Sequence, residues 1–164
     1  MKIELILPLS IAMGLVSYTL IAKWYLMPWL ASLSRDEALT RLLLIHTFRY
    51  LGLAFLIPGV TAEHLDARFA DPAAYGDLLA AILALAAIIT LRLGWSVSTP
   101  LVWIFNLVGM LDLLNALFQG VRFVPNGHFG STYFIPAVVV PALLVTHVAI
   151  FVILLRRRVA EESE

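Results

Sequence analysis

A chain of 164 residues that is 62% hydrophobic and only 13% charged, with a mean hydropathy of +0.95, carries too little polar surface for a soluble domain. Eleven basic residues balance eleven acidic ones, which leaves no electrostatic footprint for nucleic acid, and the lack of cysteine excludes disulfides, thiolate zinc sites, iron–sulfur clusters and covalent c-type haem. The composition predicts an all-α integral membrane bundle, one domain over residues 1–164, with the lipid bilayer as its first partner.

The N-terminal run has a charged start and an apolar stretch, but Glu4 interrupts it and no A-x-A site follows, so it is expected to be a retained first helix rather than a signal peptide. Span one covers about residues 3–22 and ends at Lys23-Trp24. Ser34-Arg-Asp-Glu37 is a capping-box pattern, in which a serine hydroxyl and a glutamate satisfy free backbone N–H groups, and it introduces span two over about residues 38–57. Asp71-Pro72 and Thr99-Pro100 each combine a capping oxygen with a proline suited to the first helical position. They predict spans three and four over about residues 72–92 and 100–119, with Gly94 and Gly120 as stops. Span five covers about residues 133–155, with Pro136 in its early turns and Pro141 predicting a kink.

Basic residues flanking the spans set the orientation. One side receives Lys23, Arg35, Arg41, Arg92, Arg156, Arg157 and Arg158, the other only Lys2, Arg68 and Arg122, which predicts N-out, C-in across a cell (inner) membrane. Trp24, Trp29, Trp95 and Trp103 then fall near inner ends and Tyr75 and Tyr133 near outer ends, as interfacial anchors do. Ser10, Gly14 and Ser17 in span one, and Ala80, Ala81, Ala84 and Ala87 in span three, are small residues that allow helix backbones to approach, within the bundle or in a homo-oligomer.

Chemistry is expected where polar groups lie deep. Span two places His46, Arg49 and Tyr50 on one α-helical face, and an arginine near the middle of a membrane helix costs roughly 2.5 to 3.5 kcal/mol on insertion scales, so it turns inward to a partner. At about 1.5 Å of rise per residue, Arg49 and Asp112 both sit roughly 10 to 12 Å below the outer ends of their spans and are expected to meet. Asp112 reads as the one carboxylate clearly inside a span, with Asn115 and Gln119 on its face. A second layer, roughly 9 to 12 Å from the inner ends, holds His46, Asn106 and His147. Stacked layers make a candidate path, and histidine suits proton exchange near neutrality.

No cofactor is predicted, although matched depths leave haem b through His46 and His147 as an alternative, with Arg49 for a propionate. No metal site is assigned; the connections carry Glu63, His64, Asp66 and His128, residues of ligating type without the spacing of a named site. Residues 121–128 contain a Pro-Asn-Gly turn and suggest a short hairpin or lid. A phosphate loop, H-E-x-x-H, G-x-S-x-G and the zinc deaminase pattern are all missing, as is a mid-span lysine for a retinal Schiff base, so an enzyme is not the expectation. The leading expectation is a small multi-pass protein whose buried polar cluster binds or passes a small polar solute, ion or proton. The alternative is a non-catalytic accessory subunit of a larger membrane complex, and a haem-b-binding or lipid-modifying protein is the third.

Overall fold

The computed structural model describes residues 5–62, 64–125 and 127–161, with side-chain surroundings through Arg156. The chain is 85% helical without strands among the described residues, and five helices are long and apolar enough to cross a membrane. They are α1 (Ile6–Ala31), α2 (Arg35–Leu56), α3 (Ala67–Arg92), α4 (Ser98–Phe123) and α5 (Gly130–Arg156). Large apolar side chains such as Phe48, Leu51, Ile82, Leu85, Leu111 and Phe118 face outward, while Arg49, Asp77, His46 and His147 are buried. This inversion is how a chain builds a bundle for an apolar surround.

Helix boundaries depart from the sequence reading in physically interpretable ways. α1 does not stop at Lys23-Trp24 but runs on to Ala31 through a π-turn at Ala22–Leu26, which precedes Pro28 and accommodates a residue that lacks an amide donor. α3 does not start at Asp71-Pro72. Asp66 caps it, accepting from the Arg68 amide at 2.9 Å, and Pro72 lies inside the helix. Gly94, with φ +67°, does stop α3 after the Leu93 cap. Gly120 does not stop α4, which reaches Phe123. α5 meets its prolines with a π-turn at Ile135–Val139, which contains Pro136 and ends one residue short of Pro141. Ser34 accepts from the Glu37 amide at 3.3 Å, but the Glu37 carboxylate turns to Arg41 at 2.6 Å, so only half of the capping box forms.

α3 lies centrally, with the stripe Ala73, Asp77, Ala80, Ala84, Ala87 and Leu91 buried against α2 and α4. One apolar core gathers Leu39, Leu42, Leu43, Ala84, Phe105 and Ile150 at the end near residue 39. A second, at the other end, stacks Phe55, Phe69 and Phe129 edge to face, with centroids 5.2 to 6.3 Å apart. The two connections at that end are tied by backbone bonds, Ala62 N to His128 O at 3.2 Å and Ser131 N to Val60 O at 3.0 Å. Residues 121–123 belong to α4, and the turn after them inserts Phe129 as a plug instead of forming a hairpin. α1 is peripheral and buries none of its residues from Ile6 to Ile21. It is held to α5 by Ser10 against the Tyr133 hydroxyl at 2.7 Å and by Gly14, where an added Cβ would lie 3.1 Å from Pro141.

Candidate functional site

The site depends on a change of helix type within α2. The segment is α-helical to His46 and 3-10 from Thr47 to Leu56. Three residues per turn align His46, Arg49, Gly52 and Phe55 in one row, and all four are buried. Tyr50 would share this face only in an α-helix; here it is turned away and 47% exposed.

Three glycines, one on each neighbouring helix, make room for the polar groups. A Cβ on Gly52 of α2 would collide with the Asp77 carboxylate, and one on Gly76 of α3 would collide with Asp112. A Cβ on Gly109 of α4 would stand 2.7 Å from His147 Cε1 and 2.9 Å from Arg49 Nη1. Side chains therefore cross between helices at points where the facing backbone is bare.

Arg49 is at the centre, its side chain fully buried. Nε donates to Asp77 Oδ1 at 2.7 Å and Nη2 to Asp112 Oδ2 at 2.6 Å. Nη1 donates to the Gly109 carbonyl at 3.0 Å and lies 3.3 Å from His147 Nε2. A guanidinium only donates, so the His147 nitrogen facing it is the bare one. Its other nitrogen, Nδ1, therefore donates to Asn106 Oδ1 at 2.7 Å, while Asn106 Nδ2 donates to the His147 carbonyl at 3.1 Å. His46 sits against His147, ring centroids 4.2 Å apart, with its Nε2 3.0 Å from Thr146 Oγ1. The Thr146 hydroxyl donates to the Leu143 carbonyl at 2.9 Å, so His46 Nε2 donates to it. His46 Nδ1 is then a buried lone pair without a partner.

The charges do not balance. One guanidinium meets two carboxylates, whose side chains are 11% and 14% exposed, leaving one formal negative charge in excess. Asp77 also borders a cavity of ≈ 40 Å³, closed by Phe55, Phe69, Phe129 and Leu113, with room for water.

A family model described as "Domain of unknown function (DUF8737)" matches residues 6–155. The chain belongs to this family. No curated protein matches it. No solved structure matches it either.

Of the residues singled out by sequence, the structure joins His46, Arg49, Asn106, Asp112 and His147 into one connected cluster, not two layers. Tyr50 and Asn115 lie outside it. The inward face of α4 follows Val102, Phe105, Asn106, Gly109 and Leu113, which leaves Asp112 at its edge and Asn115 exposed beyond it. Asp77 was missed because a helix starting at residue 72 puts it near the surface. Starting at Ala67, α3 carries it ten residues in, about 15 Å along the axis. The alanine stripe held the signal, since Ala73, Asp77, Ala80 and Ala84 recur at helical spacing.

The haem b alternative does not fit. A macrocycle must lie between its two imidazoles, whereas His46 and His147 pack on each other and on Phe105, with centroids 5.1 and 5.3 Å away, leaving no slot. In the connections, Asp66 is committed to Arg68 through two side-chain bonds, which hold its carboxyl down from the ordinary 3.8 to about 2. His64 is exposed, His128 engages the Ala62 amide through its carbonyl, and Glu63 lies outside the described residues. Among the described residues no three ligating side chains gather for a metal.

Proposed function

We propose that this chain is a membrane protein that binds and passes protons, with Asp77 and Asp112 sharing one exchangeable proton beside Arg49. The observation that carries this reading is the two-to-one count of carboxylates to guanidinium in a buried cluster. With a proton on either carboxylate, Arg49 is balanced by the other; without it, the excess charge returns. Arg49 stays charged throughout and keeps both acceptors in place, since a guanidinium does not deprotonate in proteins. The cavity beside Asp77 has room for water beneath the Phe55, Phe69 and Phe129 plug, which would have to part for exchange with the outside, and His46 Nδ1 is an unpartnered acceptor on the other side of Arg49. In the N-out, C-in orientation that the flanking arginines favour, the Asp77 end faces out and the C-terminus lies in the cytoplasm of a cell whose inner membrane holds the bundle.

The test is reconstitution of the full chain in liposomes loaded with a pH-sensitive dye, under a potassium diffusion potential. Wild type should acidify the lumen faster than empty liposomes, Asp77→Asn or Asp112→Asn alone should abolish the difference because the remaining carboxylate is balanced by Arg49, and His46→Phe or His147→Phe should slow it while leaving folding nearly intact. Uptake equal to that of empty liposomes refutes the reading, and uptake that follows sodium rather than pH replaces the proton with a metal monocation. A second reading, a non-catalytic accessory subunit of a larger membrane complex, draws support from the saturation of Arg49 by four partners, an arrangement suited to fixing helix packing. Copurification with large partners, together with histidine variants that only melt earlier, would favour it.

A further inference from the structure

α1 touches α5 closely at Gly14 and then diverges from it. The gap is an apolar cleft of ≈ 630 Å³ between Leu15 and Met27 on one wall and Leu144 and Arg156 on the other. A rise of twelve residue steps along each wall makes it about 18 Å long, close to half of a hydrocarbon core of about 30 Å. At the residue 156 end the lining changes from aliphatic to cationic, with Lys23 on the π-turn of α1 and Arg156 on α5. A second cleft of ≈ 360 Å³ adjoins the first at Met27 and Arg156 and adds Arg35. Arg35 donates one nitrogen to Thr99 at 3.0 Å, while its Nε is buried without a partner. Among the described residues, three cations line the two clefts toward this end and no acidic side chain does, although Asp36 lies 3.8 Å from Arg35 Nη1.

We propose that this cleft is a binding site for an anionic phospholipid, with one acyl chain along α5 and the headgroup phosphate among Lys23, Arg35 and Arg156. Length and charge both select this occupant. The slot is one leaflet deep, and the charged side chains described along it, Lys23 and Arg156, are positive. A second copy of the chain docked two-fold on this face would bring the same cations against each other, which disfavours a homodimer here. The lipid site lies on the opposite side of α5 from the Arg49 cluster and does not depend on the proton reading.

Native mass spectrometry of the delipidated full chain in detergent tests it, using phosphatidylglycerol and phosphatidylcholine with identical acyl chains. Each basic residue near an anionic headgroup contributes about fivefold in affinity. Phosphatidylglycerol should thus bind at least about tenfold more tightly than phosphatidylcholine. Lys23→Gln with Arg156→Gln, both at exposed positions, should cut that preference to about fivefold or less, the share left to Arg35, while the melting temperature holds. Val148→Trp, which fills the cleft wall, should weaken both lipids, and inorganic phosphate should not displace them. Equal binding of the two lipids to wild type, a preference left undiminished by the Lys23→Gln and Arg156→Gln changes, displacement by phosphate alone, or a lipid-free dimer that blocks binding would each overturn the proposal.

Discussion

Neutralising either carboxylate of the cluster should cost little, while neutralising both should be severe. In Asp112→Asn the amide oxygen still accepts from Arg49 Nη2, and the site changes from one excess negative charge to balance against Asp77. Asp77→Asn has the same effect through Nε. Each single change trades an ion-paired bond for one in which only the donor is charged, a loss of about 1 kcal/mol, against relief of like-charge proximity. The net is expected within about 1 kcal/mol of zero. The double change leaves a fully buried guanidinium with no counter-charge, and stranding one partner of a buried pair costs about 3 to 5 kcal/mol. Arg49→Met strands two carboxylates and should cost at least as much, whereas Arg49→Met combined with both asparagines should recover much of the loss. Melting in detergent reads this as a coupling: near-neutral singles, a drop of roughly 10 °C for the double, and partial recovery in the triple. Losses that add, with each single as damaging as half the double, would show that the charge count is not what governs the site.

Gly52→Ala and Gly76→Ala should each destabilise by about 1 to 3 kcal/mol in the same melt, because the new Cβ falls on a carboxylate that Arg49 holds in place; no change in either would mean that the carboxylates lie elsewhere. Tyr50→Phe and Asn115→Ala, outside the cluster, should stay within about 0.5 kcal/mol of wild type and leave proton uptake intact. Asp66 should titrate near 2 by carboxyl carbon NMR, and Arg68→Ala should return it toward 3.8. Since the folded value is depressed, the cap on α3 contributes above pH 3.8 and is lost only as pH falls through about 2. A reporter fused after residue 164 should be active only in the cytoplasm; periplasmic activity reverses the proposed orientation.

The number of helices and the meeting of Arg49 with Asp112 were legible because both rest on counting, apolar runs for the first and depth at 1.5 Å per residue for the second. Reading failed where two local signals competed for one boundary. Asp66 and Asp71 are both capping residues, and Asp71-Pro72 is the stronger pair in isolation. The chain uses Asp66 because its carboxylate also takes the Arg68 side chain, and because starting there lets Phe69 reach Phe55 and Phe129. Five residues of error at that end moved Asp77 from interior to surface and hid half of the carboxylate pair.

The 3-10 half of α2 was hidden for a different reason. Nothing in the residues 47–56 forbids an α-helix, and an α-helix places Arg49 and Tyr50 three and four residues on from His46, on its face. What favours the tighter winding is tertiary. Each rung of the ladder meets its own neighbours: His46 the histidine and threonine of α5, Arg49 the carboxylates of α3 and α4, Gly52 the Asp77 carboxylate against its bare backbone, and Phe55 the aromatic plug. Only a period of three puts all four on one line. A winding that is poor in isolation is therefore kept by the partners of Arg49, so removing that charge is expected to let Thr47–Leu56 relax toward α geometry and bring Tyr50 inward.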